Sequence, residues 1–147
     1  MLETEKKAIQ SFNSGFNCAQ SVLQSYACKM GMDTDLALSI SNGFGAGMGR
    51  LLETCGAVTG AFMVIGLYNG QKYEDNSSRK EESFAMIQEF AHTFKLAHGT
   101  TNCKYLINCD LNTEEGQLYF DKNKIKDTIC EKCISSSIKI LHKLLED

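Results

Sequence analysis

Apolar residues recur at helical spacing through most of this 147-residue chain, and no proline interrupts them. Positions three and four apart share one face of an α-helix. Each periodic stretch therefore carries a stripe that must be buried against another helix. Leu2, Ala8, Ile9 and Phe12 form such a stripe over residues 2–13, ending at Asn13-Ser14-Gly15. Cys18, Val22, Leu23, Tyr26 and Met30 form the next over 17–30, ending at Gly31. A shorter helix is expected after Asp33, carrying Leu36, Leu38 and Ile40. An apolar helix should run from Cys55 to about Tyr68 and stop at Asn69-Gly70. Residues 73–79 read as a loop or frayed start, followed by an amphipathic helix over 80–97 that stops at His98-Gly99. A short helix near 103–108, a polar segment at 109–125 and a last helix over about 127–144 complete the chain. Strand-like alternation is scarce. The expectation is an all-α, single-domain bundle of six to seven helices spanning residues 1–147.

Composition narrows the function classes. A 43% hydrophobic chain of this length buries roughly 70% of its unfolded surface, so disulfides are not needed to hold it folded. A net charge of −3, with lysines scattered rather than striped, gives no electrostatic case for nucleic acid or an anionic membrane. The uncharged run from Cys55 to Gln71 contains four glycines and is shorter than the ~20 residues of a membrane span. The charged start MLETEKKAIQ lacks the apolar core of a secretory signal, so a cytoplasmic protein is expected.

Seven cysteines, at 18, 28, 55, 103, 109, 130 and 133, then dominate the reading. An odd number without an export signal argues against a secreted disulfide framework. A buried cysteine can be simply a small hydrophobe, but a group of seven points to metal ligation or redox chemistry. Asn17, Thr54 and Asn102 precede Cys18, Cys55 and Cys103. Asn and Thr are good N-cap residues, which places each cysteine in the first turn of a helix, where the dipole favours a thiolate. Cys130 follows Asp127 by three residues and comes close to the same setting. Cys130 and Cys133 form a C-x-x-C on one helical face, but no βαβ context, following histidine or second C-x-x-C supports a thioredoxin, haem or zinc-ribbon reading.

The glycine run Gly43–Gly49 is not a phosphate loop: the third glycine of G-x-G-x-x-G is replaced by Met48 or Arg50, and no Lys-Ser/Thr follows. Its glycines suit a tight turn or a close approach. Gly56 and Gly60, with Ala57 and Ala61, give the next helix a small face for packing, or for a cysteine-bound group lying against the backbone. His98 could approach Cys103, and Arg50 could orient an anion or pair with a thiolate; His92 and His142 read as surface residues.

Collected in order, these elements resemble the C_GCAxxG_C_C family of redox-active proteins. Gly15-Phe16-Asn17-Cys18-Ala19-Gln20-Ser21-Val22-Leu23 is similar to its opening element, and Gly43 to Arg50 with Cys55-Gly56-Ala57-Val58-Thr59-Gly60-Ala61 to its central signature. Cys103-Lys104-Tyr105-Leu106 with Cys109-Asp110-Leu111, and Cys130-x-x-Cys133-Ile134, resemble its last two elements. The resemblance implies four characteristic cysteines, Cys18, Cys55, Cys103 and Cys130. It leaves Cys28, Cys109 and Cys133 outside that set, the family more usually having an aromatic or apolar residue at the last position. A looser similarity reaches iron–sulfur-bearing split-Soret cytochromes.

The first expectation is a redox-active protein whose Cys18, Cys55, Cys103 and Cys130 hold an iron–sulfur cluster or zinc for electron transfer, with Gly56 and Gly60 beside the cofactor. Metal-free thiol–disulfide exchange by the same four cysteines is the alternative, with Cys18–Cys55 and Cys103–Cys130 the first pairs to consider. A non-catalytic helical accessory protein is the third reading. The partner expected is a redox protein, with homo-oligomerisation open and enzymatic activity undecided.

Overall fold

The computed structural model describes residues 1–145. They are 76% helical, with no strand and eight right-handed α-helices. These are α1 (Glu3–Asn13), α2 (Cys18–Ala27), α3 (Thr34–Ser41), α4 (Gly56–Lys72), α5 (Asn76–His98), α6 (Cys103–Ile107), α7 (Glu114–Lys122) and α8 (Glu131–Leu144). A π turn, Lys126–Cys130, leads into α8 without a break. No helix among the described residues is long and apolar enough to cross a membrane.

Most helix starts are written in side-chain caps. Asn17 accepts from the Gln20 backbone N–H while the Gln20 side chain accepts from the Asn17 backbone N–H, a complete capping box for α2. Asp33, Asp75, Asn102 and Thr113 cap α3, α5, α6 and α7 more simply, each side chain accepting from one first-turn backbone N–H and contributing about 1 kcal/mol. Two of these caps alter the expected boundaries. Asp75 starts α5 at Asn76, and Thr113 starts a helix within the polar segment 109–125, which accounts for the eighth helix. Asn69-Gly70 does not end α4, which continues to Lys72. The buried Asn69 side chain donates to the Ile65 carbonyl within the same helix.

Helix α4 is the centre of the bundle, packed against α2, α5 and α8, while α1 packs on α2 and α8. Val58, Ala61, Val64 and Ile65 of α4 meet Val22 and Leu23 of α2, Phe90 and Phe94 of α5, and Ile134, Ile138 and Leu141 of α8 in one core. Each large side chain so buried contributes about 1.5–3 kcal/mol. The Phe90 and Phe94 rings stack with centroids 6.1 Å apart. The approach of α2 to α4 depends on glycine. A Cβ at Gly60 would lie 2.8 Å from the Ala19 carbonyl oxygen, and one at Gly56 would lie 3.0 Å from Cys18 Cβ.

Between α3 and α4 the chain winds the wrong way. Ala46, Gly47, Met48, Gly49 and Arg50 all have φ between 54° and 68°, and Leu52 follows at 59°. Left-handed backbone costs an L-residue about 1–2 kcal/mol, so Ala46, Met48, Arg50 and Leu52 are held there by their surroundings. The holding bonds are visible. Gly47 carbonyl accepts from Glu53 N–H at 2.9 Å, and Glu53 carbonyl accepts from Cys103 N–H at 2.6 Å. Thr101 carbonyl accepts from Cys55 N–H at 2.8 Å, and Arg50 carbonyl accepts from the Asn112 side chain at 2.8 Å. Backbone strain of this kind concentrates at functional sites. Here it straps the segment before Cys55 to the start of α6, where Cys103 stands.

Candidate functional site

The sequence spreads its cysteines over more than a hundred positions; the fold gathers five of them. Cys18 at the first position of α2, Cys55 before α4, Cys103 at the first position of α6, Cys130 in the π turn and Cys133 in α8 line one cavity of about 220 Å³. The remaining lining is almost wholly apolar, including Phe12, Leu106, Ile107, Phe120 and Ile129. Lys126 is the one cationic side chain lining it among the described residues, and its ammonium lies 5.0 Å from the Phe12 ring centroid. Cys55, Cys103 and Cys133 are buried, while Cys18 and Cys130 are half-buried.

The thiols arrive by more than one local device. The Asn17 and Asn102 caps place Cys18 and Cys103 as expected. Thr54 does not cap α4: Cys55 is itself the N-cap residue, with the backbone N–H groups of Ala57 and Val58 facing its sulfur. Cys130 is not at a capped helix start. It ends a π turn, a local widening frequent at functional sites.

The thiols influence one another: the neighbour that most affects Cys18 is Cys130, and the one that most affects Cys133 is Cys55. The electrostatics depart from a uniform helix-start effect. The hydrogen bond from Cys133, aided by the Ala57 and Val58 N–H groups, lowers the Cys55 pKa. Cys18 is raised well above its ordinary value by donating to Cys130, by burial and by the neighbouring sulfurs. Burial, then the charges at Cys55, Cys130 and Cys109, push Cys103 up to about 12. Cys133 is raised by its hydrogen bond to Cys55 and by burial. A helix start stabilises an anion by about 0.3–1 kcal/mol; removal from water and crowding by like charges outweigh that at Cys18 and Cys103.

Ionising Cys18, Cys103 and Cys133 together is thus disfavoured without a counter-charge. No three His, Cys, Asp or Glu side chains among the described residues are grouped so as to hold a metal ion. The donor chemistry does suit a larger guest, because the ligand sulfurs of a polynuclear cluster bind different irons and need not converge on one point.

The same cysteines carry the comparison with known proteins. A family model described as Putative redox-active protein (C_GCAxxG_C_C) matches residues 16–144. The chain belongs to the C_GCAxxG_C_C family. Neither a curated protein nor a solved structure matches it. The matched C_GCAxxG_C_C region contains all seven cysteines, but the fold separates their settings. Cys28 is exposed, outside the cavity; Cys109 is half-buried and packs on a small satellite core with Leu52, Cys103, Ile107 and Ile125.

Of the two glycines expected beside a cofactor, Gly56 lines the cavity, and Gly60 lies against the α2 backbone. His98 bonds to Ser136 at 2.8 Å and stacks on Phe94, and Arg50 is exposed outside the cavity. Sequence reasoning missed Lys126 and undervalued Cys133. The i, i+3 spacing from Cys130 was the available signal for Cys133, since it puts both on the face that meets the cavity.

Proposed function

We propose that this C_GCAxxG_C_C protein is an electron-transfer protein that holds an iron–sulfur cluster through Cys18, Cys55, Cys103 and Cys130. The observation that carries the reading is the convergence of these sulfurs, from four separate segments, on one apolar cavity. Such a cavity offers soft anionic ligands and almost no competing polar groups. When bound, a cluster would supply reversible one-electron uptake.

The chain's own residues have definable parts. Cys55, fixed at the start of α4 with the Ala57 and Val58 N–H groups facing its sulfur, is the thiol best prepared to ionise. Hydrogen bonds to ligand sulfurs raise the potential of an iron–sulfur site, so those two amides bear on its redox tuning. Phe12, Phe120 and Ile129 keep water from the sulfurs. The left-handed strap maintains the spacing of Cys55 and Cys103.

The test is anaerobic reconstitution of the reduced full chain with ferrous iron and sulfide. Broad visible absorption that bleaches with dithionite is expected. Fully reduced protein that stays colourless and iron-free would overturn the reading. The gathering of five free cysteines around one cavity favours a second one, metal-free thiol–disulfide exchange, which that negative result would leave as the working function.

A further inference from the structure

The thiol cavity carries one charge at its edge and no carboxylate to balance it. Lys126 opens the π turn that ends at Cys130, lines the cavity and is half-buried. No Asp or Glu belongs to the lining, and no carboxylate pairs with Lys126 among the described residues. Its ammonium lies 5.0 Å from the centroid of the Phe12 ring, another wall of the same cavity. The stem of such a lysine covers apolar surface while its head stays charged. An ammonium that gives up hydration without an ion-pair partner is costly, and an aromatic face offsets only part of that cost. The rest of its charge is available to a guest.

Neighbouring charges do not cancel it. Asp127 and Glu131 flank Lys126 along the chain but lie outside the lining. An adjoining hollow, sharing Leu111 and Phe120 with the cavity, is bordered by Arg50 and Asp121, whose charges oppose each other. The chain as a whole carries −3, so its general field repels anions and Lys126 reverses that preference locally.

We propose that Lys126 is the specificity-determining residue of the thiol cavity, selecting anionic small molecules over cationic ones. The ligand class is a low-molecular-weight thiol or disulfide that carries carboxylates. Its sulfur suits the apolar, cysteine-lined interior, and its carboxylate meets the ammonium at the edge. This ligand class rests on the thiol–disulfide exchange reading above; the charge selection rests on the lining alone, and neither needs a cluster. One unit charge at about 6 Å in a watery medium changes local concentration by about threefold, so probes of opposite sign should differ by about tenfold.

The test uses reduced, metal-free, full-length protein and two thiosulfonates of equal size, sulfonatoethyl (anionic) and trimethylammonioethyl (cationic) methanethiosulfonate. The cysteine sulfur gives up its proton and attacks the probe; a protein–probe S–S bond forms, the probe's S–S bond breaks, and methanesulfinate leaves with the electron pair. The reporter is Cys130, half-buried in the lining and recovered by trypsin in peptide 127–132, or 125–132 where Lys126 is replaced. Exposed Cys28, outside the cavity, is the internal reference. Taking the anionic-to-cationic rate ratio cancels the intrinsic reactivity of each thiol. Relative to Cys28, the ratio at Cys130 should fall about tenfold in Lys126→Gln, return in Lys126→Arg and fall further in Lys126→Glu. In wild type, raising salt from 0.01 to 1 M should remove most of the preference, a readout that needs no variant. Equal ratios in wild type and Lys126→Gln, a salt-independent ratio, or a Cys130 that reacts with neither probe would overturn the proposal and leave the cluster reading untouched. A second arm replaces the probes by dithiodipropionate, a dianionic disulfide, and cystamine, a dicationic one. The dianion should form the mixed disulfide at Cys130 faster. If the thiosulfonates show the preference and neither disulfide exchanges, the charge selection stands, and the exchange reading and its ligand class fail.

Discussion

Replacing Gly60 by Ala tests whether the approach of α2 to α4 builds the site. An added Cβ would lie 2.8 Å from the Ala19 carbonyl oxygen and 3.1 Å from Val22 Cβ. The first neighbour is backbone, so it can yield only if α2 moves as a whole. Helix propensity alone favours Ala over Gly by about 1 kcal/mol, while overpacking of a tight core costs about 1–3 kcal/mol. The clash with backbone should win here, with a net loss of up to about 2 kcal/mol. For a chain of this length that lowers Tm by up to roughly 8 °C. Gly66 of the same helix is the internal control, because it is exposed and a Cβ there meets nothing within 4 Å. Gly66→Ala should therefore raise Tm by up to about 4 °C. Calorimetry on the two metal-free variants measures both signs. Since Ala19 adjoins Cys18, Gly60→Ala should also impair cofactor loading, and Gly66→Ala should not. Shifts in the same direction for both variants would refute the close-approach reasoning.

Three further outcomes follow from particular residues. Arg50 is exposed and left-handed, so Arg50→Gly should stabilise by about 0.5–1 kcal/mol in urea unfolding; a loss would mean that its side chain holds the strap. Ser137 is fully buried and its hydroxyl has no hydrogen-bond partner among the described residues, so Ser137→Ala should raise stability by up to about 1 kcal/mol; a loss of that size would reveal a partner. Burial lowers the His98 pKa below its ordinary 6.5, so the unfolded chain binds this proton first as pH falls. Stability from neutral His98 is thus present above about pH 6.5 and lost progressively below it. Melting curves of His98→Gln should show a shallower decline with acid than wild type, and parallel declines would contradict this assignment.

Much of the fold was legible because its signals are local. Asn17 and Asn102 announced α2 and α6 by cap chemistry, and the stripes of α1, α2 and α5 announced buried faces. Helix α7 was not legible: Glu114, Glu115 and Gln117 carry little apolar periodicity, and its start depends on the single Thr113 cap. The left-handed turn was only half visible. Glycines at 43–49 signalled unusual backbone, but Ala46, Met48 and Arg50 adopt it through bonds to residues far along the chain.

At the site, membership of Cys18, Cys55, Cys103 and Cys130 came from helix-start signals and resemblance, and the cavity brings those four together. Their protonation could not be read the same way. A helix start is a local feature, whereas the raised pKa values arise at Cys18 from Cys130 and then burial, and at Cys103 from burial and then the sulfurs of other segments. Cys133 needed the same tertiary information, since spacing reveals its face but not that this face lines the cavity of Cys18, Cys55 and Cys103.

The most direct measurement of the central claim is iron and acid-labile sulfide per chain after anaerobic reconstitution, for wild type and for single Cys→Ser variants. The account predicts loading of wild type and Cys28→Ser alike, with marked loss in the Ser variants of Cys18, Cys55, Cys103 and Cys130. Equal loading of all these variants, or loss centred on the exposed Cys28, would contradict it.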